Sequence, residues 1–266
     1  MKKLLFTHGC SFTFEANDGQ IVQTWPTHLF KKLDMEIYNH GIGGFGNHGI
    51  FRQTMNWLSS NKDKWKNIFV VIQWTTCCRW EFFDKKEGTK KVNLEEIYNG
   101  YQDKDRRSWK QYHFLDENYK PHPYKTPIDY LSVTQEYYDR LILVVALQNF
   151  LKVNNIPYLF FDGISSYKFR NQDGTWFGFP VEEEIDYNLL NTMESFIDTK
   201  RYLELPHLAF CGHHYYSEQN FGLEYQEYQN KWKENVFDED NYHPNTLGHE
   251  KWSEFLFTYI KENKLL

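Results

Sequence analysis

The sequence predicts an α/β fold built on a parallel central sheet, and three observations predict it. Short apolar runs at Lys3 to Thr7, Glu36 to Asn39, Ile68 to Trp74 and Ile156 to Phe161 are separated by stretches of helical periodicity. Strands alternating with helices require crossover connections, and crossovers make neighbouring strands parallel. The run Ile68 to Trp74 is continuously apolar, the pattern of a strand covered on both faces. Gly9 follows the first run and the cluster Gly41 to Gly49 the second, where backbone must turn sharply beyond a strand end.

Each element has its own justification. Lys3 to Thr7 reads as a buried strand that breaks at Gly9. Asp18-Gly19 marks a loop, and Trp25-Pro26 opens a helix to Leu33, since proline fits the first helical turn. After the second strand, Gly41 to Gly49 lets backbone N–H groups approach a ligand, and Ile50, Met55 and Leu58 then recur at helical spacing. Strand, glycine loop, helix is the order of an anion-binding turn. Leu141, Val144, Val145, Leu147, Phe150 and Leu151 recur at three- and four-residue steps, which predicts a long helix before the fourth strand. A last helix is predicted over Thr246 to Ile260, with Leu247, Trp252, Phe255, Leu256 and Tyr259 on one side and Asn245 or Thr246 as its cap. The whole chain, 1–266, reads as one domain with additions at about 79–132 and 163–239, both polar, aromatic and irregular.

Bulk properties narrow the function. A net charge of −6 argues against nucleic acid or an anionic membrane as partner. Cys10, Cys77, Cys78 and Cys211 are too few for a disulfide scaffold, so reduced thiols are expected. The apolar run after Met1-Lys2-Lys3 is too short for a signal peptide, and no segment reaches the roughly 20 apolar residues that span a bilayer. A soluble chain, cytoplasmic at synthesis, is the expectation. Aromatic residues at 19% exceed what the core needs and leave rings for a cleft that takes sugars or acyl chains.

The chemistry lies at the two ends of the chain. Ser11, in Gly9-Cys10-Ser11-Phe12-Thr13, follows a strand end, a sound mount for a nucleophile. Asp240 and His243, in Asp240-Asn241-Tyr242-His243-Pro244-Asn245, supply a carboxylate and an imidazole three residues apart. Serine, aspartate and histidine in that order are the parts of a hydrolytic triad. Cys10 as a thiol nucleophile is the lesser reading, because adjacent side chains point in different directions. The glycines of Gly41 to Gly49 imitate a dinucleotide fingerprint, but no other feature demands a nucleotide, and no cofactor is expected. Cys211, His213 and His214, with His207, match no zinc spacing, so no metal is expected either.

These segments together resemble the SGNH (GDSL-type) hydrolase family, esterases and acylhydrolases with a flavodoxin-like three-layer α/β/α fold. Gly9-Cys10-Ser11-Phe12 resembles the family's first block, Asn39 to Asn47 its second, and Asp240 with His243 its Asp-x-x-His block. The third block departs: where the family has Gly-x-Asn-Asp, Gln73-Trp74 runs into Thr75-Thr76-Cys77-Cys78. The resemblance implies Ser11 as nucleophile, His243 as base and Asp240 as its orienting carboxylate. It also implies an oxyanion hole from the backbone of Ser11 and Gly44, with Thr76 in the place of the asparagine and Thr75 or Asn47 as substitutes. Trp74 and Arg79 are expected at the substrate. The implied function is a serine esterase or acylhydrolase acting on a small-molecule or carbohydrate ester, with carbohydrate O-deacetylation as the narrower expectation. The alternative is a hydrolase-shaped module that binds glycan or a protein partner.

Overall fold

The structure is a computed structural model that describes residues 2–17, 20–21, 23–75, 79–83, 109–113, 133–164, 187–203, 205, 207, 237–238 and 243–266. Its principal strands are β1 (Leu4–His8), β2 (Glu36–Asn39), β3 (Ile68–Trp74), β4 (Tyr158–Asp162) and β5 (Tyr202–Leu203). The helices between and after them are α1 (Trp25–Leu33), α2 (Asn47–Ser60), α3 (Val133–Val153), α4 (Tyr187–Ser195) and α5 (Thr246–Glu262). The five strands form one parallel sheet in the order β2-β1-β3-β4-β5, the flavodoxin-like order.

Side chains alternate across this sheet and build two cores. Phe6, Val70, Ile72, Trp74, Tyr158 and Phe160 face α2, α3 and α4. Leu5, Phe69, Val71, Leu159 and Phe161 face α1 and α5, where they meet Trp25, Leu29, Trp252 and Leu256. All seven residues of β3 are buried, as expected of the central strand in a sheet covered on both sides. Each large apolar side chain taken fully out of water contributes roughly 1.5–3 kcal/mol, so these two layers carry the fold.

The structure differs from the sequence reading in two places. The stretch 163–239, read as an addition, contains α4 and β5, and both belong to the core. A two-residue strand is too short to show a period, which is why Tyr202-Leu203 escaped notice. The stretch 79–132 begins with an antiparallel pair, Arg79–Phe83 against Trp109–His113, rather than irregular chain. No helix among the described residues is long and apolar enough to cross a membrane.

Candidate active site

In a parallel sheet of this order, ligands gather beyond the carboxyl ends of the strands near the point where strand order reverses, between β1 and β3. Ser11 sits there. β1 ends at His8, and the chain turns at Cys10–Thr13, closed by the amides of Thr13 and Phe14 donating to the Cys10 carbonyl at 2.9 and 3.2 Å. The Ile42 amide donates to the Gly9 carbonyl at 3.0 Å and ties the glycine loop to the same turn. Gly41 packs so closely that a Cβ there would lie 2.6 Å from the Thr13 carbonyl carbon, so only glycine fits. Cys10 is buried and serves packing.

His243 arrives from the opposite end of the chain. It pairs with Asp238 in a short antiparallel ladder, Phe237–Asp238 with His243–Pro244, and α5 begins three residues later. The Asn245 side chain caps that helix by accepting from the Gly248 amide at 2.9 Å. Trp252, Leu256 and Ile260 anchor α5 in the core it shares with α1. The result is a contact between residues 232 positions apart: Ser11 Oγ lies 2.8 Å from His243 Nε2. Phe12 sets its ring edge-on to His243, with centroids 4.9 Å apart, and edge-on to His207 at 5.8 Å. His207 in turn stacks on Trp252 at 4.9 Å.

The imidazoles behind His243 are held neutral. Burial pushes His207 well below the ordinary histidine value, with the neighbouring His249 adding to the effect. His249 falls to about 3, first through burial and then through the proximity of His243 and His28. Neither ring nitrogen of His207, nor Nδ1 of His249, has a hydrogen-bond partner among the described residues. These rings therefore act as apolar walls for the Ser11–His243 pair.

The other predicted site residues divide. Gly44 lies in the loop before α2 with φ 70°, a left-handed conformation natural to glycine. Asn47 and Thr75 clamp each other: the Thr75 amide donates to Asn47 Oδ1 at 2.9 Å, and Asn47 Nδ2 donates to the Thr75 carbonyl at 3.1 Å. This pair pins the end of β3 to the first turn of α2. The Thr75 hydroxyl is buried with no partner among the described residues. Trp74 corrects an expectation. It is wholly buried, edge-on to Phe160, in the core on the α2, α3 and α4 side, because its position in β3 alternates onto that face with Val70 and Ile72. Arg79 opens the antiparallel pair opposite His113, and its side chain lies outside the described residues, as do Thr76, Asp240, Cys211, His213 and His214.

Sequence reasoning missed the polar support beneath this site. Thr13 donates its hydroxyl to Gln73 Oε1, and Thr13 Oγ1 accepts from Trp25 Nε1 at 3.2 Å. The Thr13 carbonyl accepts from Thr24 Oγ1 at 3.1 Å and from Asn39 Nδ2 at 2.8 Å. Asn39 Oδ1 takes the Thr7 hydroxyl and the Gly41 amide at 3.0 and 3.1 Å. One signal was available: Gln73 is a lone amide in an otherwise apolar strand, and a buried amide needs a partner.

A parallel sheet covered on both faces, with the Ser11 hydroxyl and the His243 imidazole in contact beyond the carboxyl end of β1, defines an α/β protein of flavodoxin-like order. The chain belongs to DUF6071, a family of unknown function, whose match spans residues 15–200 and so leaves both Ser11 and His243 outside it. No curated protein matches the chain. Among solved structures it is similar to Axe2, an acetylxylan esterase from Geobacillus stearothermophilus, at 12% identity over 97% of this chain and 94% of that one, with a TM-score of 0.44. It is also similar to LAE5, an alpha/beta hydrolase enzyme from the metagenome of Lake Arreo, Spain, at 12% identity over 97% and 95% with a TM-score of 0.45. A third similar structure is a protein described as lipolytic and of the G-D-S-L family from Desulfitobacterium hafniense DCB-2, at 12% identity over 97% and 99% with a TM-score of 0.44.

Proposed function

We propose that this protein is a serine esterase or acylhydrolase of SGNH type. The observation that carries the reading is the 2.8 Å approach of Ser11 Oγ to His243 Nε2 at the carboxyl ends of the strands. A serine hydroxyl is a weak nucleophile at neutral pH and needs a base within hydrogen-bond reach. In the proposed reaction, His243 Nε2 takes the Ser11 proton as Oγ bonds to the ester carbonyl carbon. The tetrahedral intermediate then collapses, the ester C–O bond breaks, and the leaving alcohol receives the proton from His243. Water, deprotonated by the same imidazole, cleaves the acyl-enzyme and restores Ser11.

The developing oxyanion is assigned to the backbone N–H groups of Ser11 and Gly44. The third donor is assigned to the Thr75 or Thr76 hydroxyl, in place of an asparagine; Asn47 has its amide turned to Thr75. Each such donor is typically worth about 3–4 kcal/mol. Asp240, three residues before His243 in sequence, is assigned to the Nδ1 side of that imidazole. The narrower reading is O-deacetylation of a carbohydrate, supported by the aromatic richness of the chain outside its core.

Hydrolysis of chromogenic acetyl, butyryl and octanoyl esters and of an acetylated oligosaccharide tests both levels. Hydrolysis that disappears in Ser11→Ala, with acetyl esters preferred, is the expected result. Activity that survives Ser11→Ala contradicts the reading, and a preference for octanoyl esters contradicts the narrower one.

A further inference from the structure

We infer that Gln73 and Thr13 are positioning residues that set the Ser11 hydroxyl against His243, acting through the turn that carries Ser11. The inference rests on the esterase reading for its kinetic consequences but not for its structural ones.

Four observations converge on Gln73. It is fully buried at the carboxyl end of β3, on the α1 side of the sheet, in a place where every other inward residue of that strand is aliphatic or aromatic. Its Oε1 accepts the Thr13 hydroxyl, and Thr13 is the residue whose amide closes the turn over Ser11 and Phe12. Glycines stand just beyond the ends of both neighbouring strands, Gly9 after β1 and Gly163 after β4. A Cβ on Gly9 would lie 2.8 Å from Gln73 Cβ, and one on Gly163 would collide with the Gln73 amide nitrogen. Finally, Trp25 of α1 donates to the same Thr13 oxygen that donates to Gln73, which fixes the direction of that hydroxyl.

The physical consequence follows from the cost of leaving such groups unmet. A buried amide oxygen without its donor keeps its desolvation cost with nothing to offset it, so the fold favours Thr13 and Gln73 staying joined. Thr13 cannot shift without also dragging its carbonyl away from Thr24 and Asn39. The turn is thereby tied to β2, β3 and α1 at once. Ser11, two residues before Thr13, has its direction set by a tether that reaches neither substrate nor His243. An apolar pair at positions 13 and 73 would fill the same space without defining the turn's rotation.

Thr13→Val and Gln73→Met remove the bond from its two ends, Gly163→Ala displaces the Gln73 amide from outside, and Thr13→Ser keeps the hydroxyl. Each is compared with wild type by thermal melting, by kcat and KM on the best ester, and by the imidazole nitrogen resonance of His243 in histidine-labelled protein. Ser11→Ala provides the resonance for the broken Ser11–His243 bond. The expected result is a kcat lower by about 10- to 100-fold with KM nearly unchanged in Thr13→Val and Gln73→Met. The His243 resonance moves toward that of Ser11→Ala in both, and Thr13→Ser restores both readouts. If Thr13→Val does not fold, Gln73→Met and Gly163→Ala decide the matter. Folded variants that keep the wild-type His243 resonance overturn the inference. If wild type hydrolyses nothing, the esterase reading fails, and the resonance alone still decides whether Gln73 and Thr13 set the pair.

Discussion

At the scale of single residues, the site is two side chains brought together by constraints on backbone rather than by their own attraction. Gly41 admits the glycine loop against Thr13, and Phe12 fixes the ring plane of His243 from one side. If His243 is the base, His243→Ala removes the proton acceptor itself, whereas Asp240→Ala removes only the group proposed to orient it. Loss of kcat is expected in both, with the His243 variant roughly 100-fold worse. Steady-state rates of the two purified variants check this, and equal losses would remove Asp240 from its orienting role. Ser11 and His243, which the fold brings into contact, could be singled out in the sequence because a hydroxyl after a strand and an imidazole before a helix are local patterns. Gln73 and Thr13 could not, since their bond joins positions 60 apart and no local pattern announces it. Trp74 was misjudged because an aromatic at a strand end reads alike whether it faces a cleft or a helix.

At the scale of elements, His243 depends on how α5 begins. Asn245 starts the helix two residues after His243, and its side chain satisfies one of the amides that a first turn leaves unpaired. Asn245→Ala should lower stability by about 1 kcal/mol. It should also loosen His243, so the ester hydrolysis rate should fall by more than the small change in folded fraction explains. Denaturant unfolding beside kcat measures the two effects, and an unchanged kcat would show that the Asp238–His243 ladder alone holds the imidazole. The long elements were readable: β3 by its unbroken apolar run, α5 by its cap and its apolar face, α1 by Trp25-Pro26. β5 was not, because its two residues owe their strand conformation to pairing with Phe160 and Phe161.

At the scale of the molecule, two aromatic cores close over a sheet that also buries imidazoles. His8, His207 and His249 are all held below the ordinary histidine value of 6.5, each chiefly by burial. A histidine whose folded value is depressed binds fewer protons in the native state than in the unfolded one. Its stability contribution is therefore intact above pH 6.5 and drains away as pH falls below it, by up to about 1.4 kcal/mol per unit for each group. All three act in the same direction, so stability falls as pH drops below about 6.5, with His249 still contributing down to about 3. Melting temperature across that range checks the prediction, and a flat profile from pH 7 to 5 would contradict the burial of these rings.

If His243 activates Ser11 as proposed, the Ser11 hydroxyl should react with electrophiles only while that imidazole is present. Treatment of the folded protein with an organophosphonate serine probe, followed by mass spectrometric mapping, tests it most directly. A single adduct on Ser11 that forms in wild type and is lost in His243→Ala is the expected result. An unlabelled Ser11 in folded protein, or labelling that persists at full rate without His243, would contradict it.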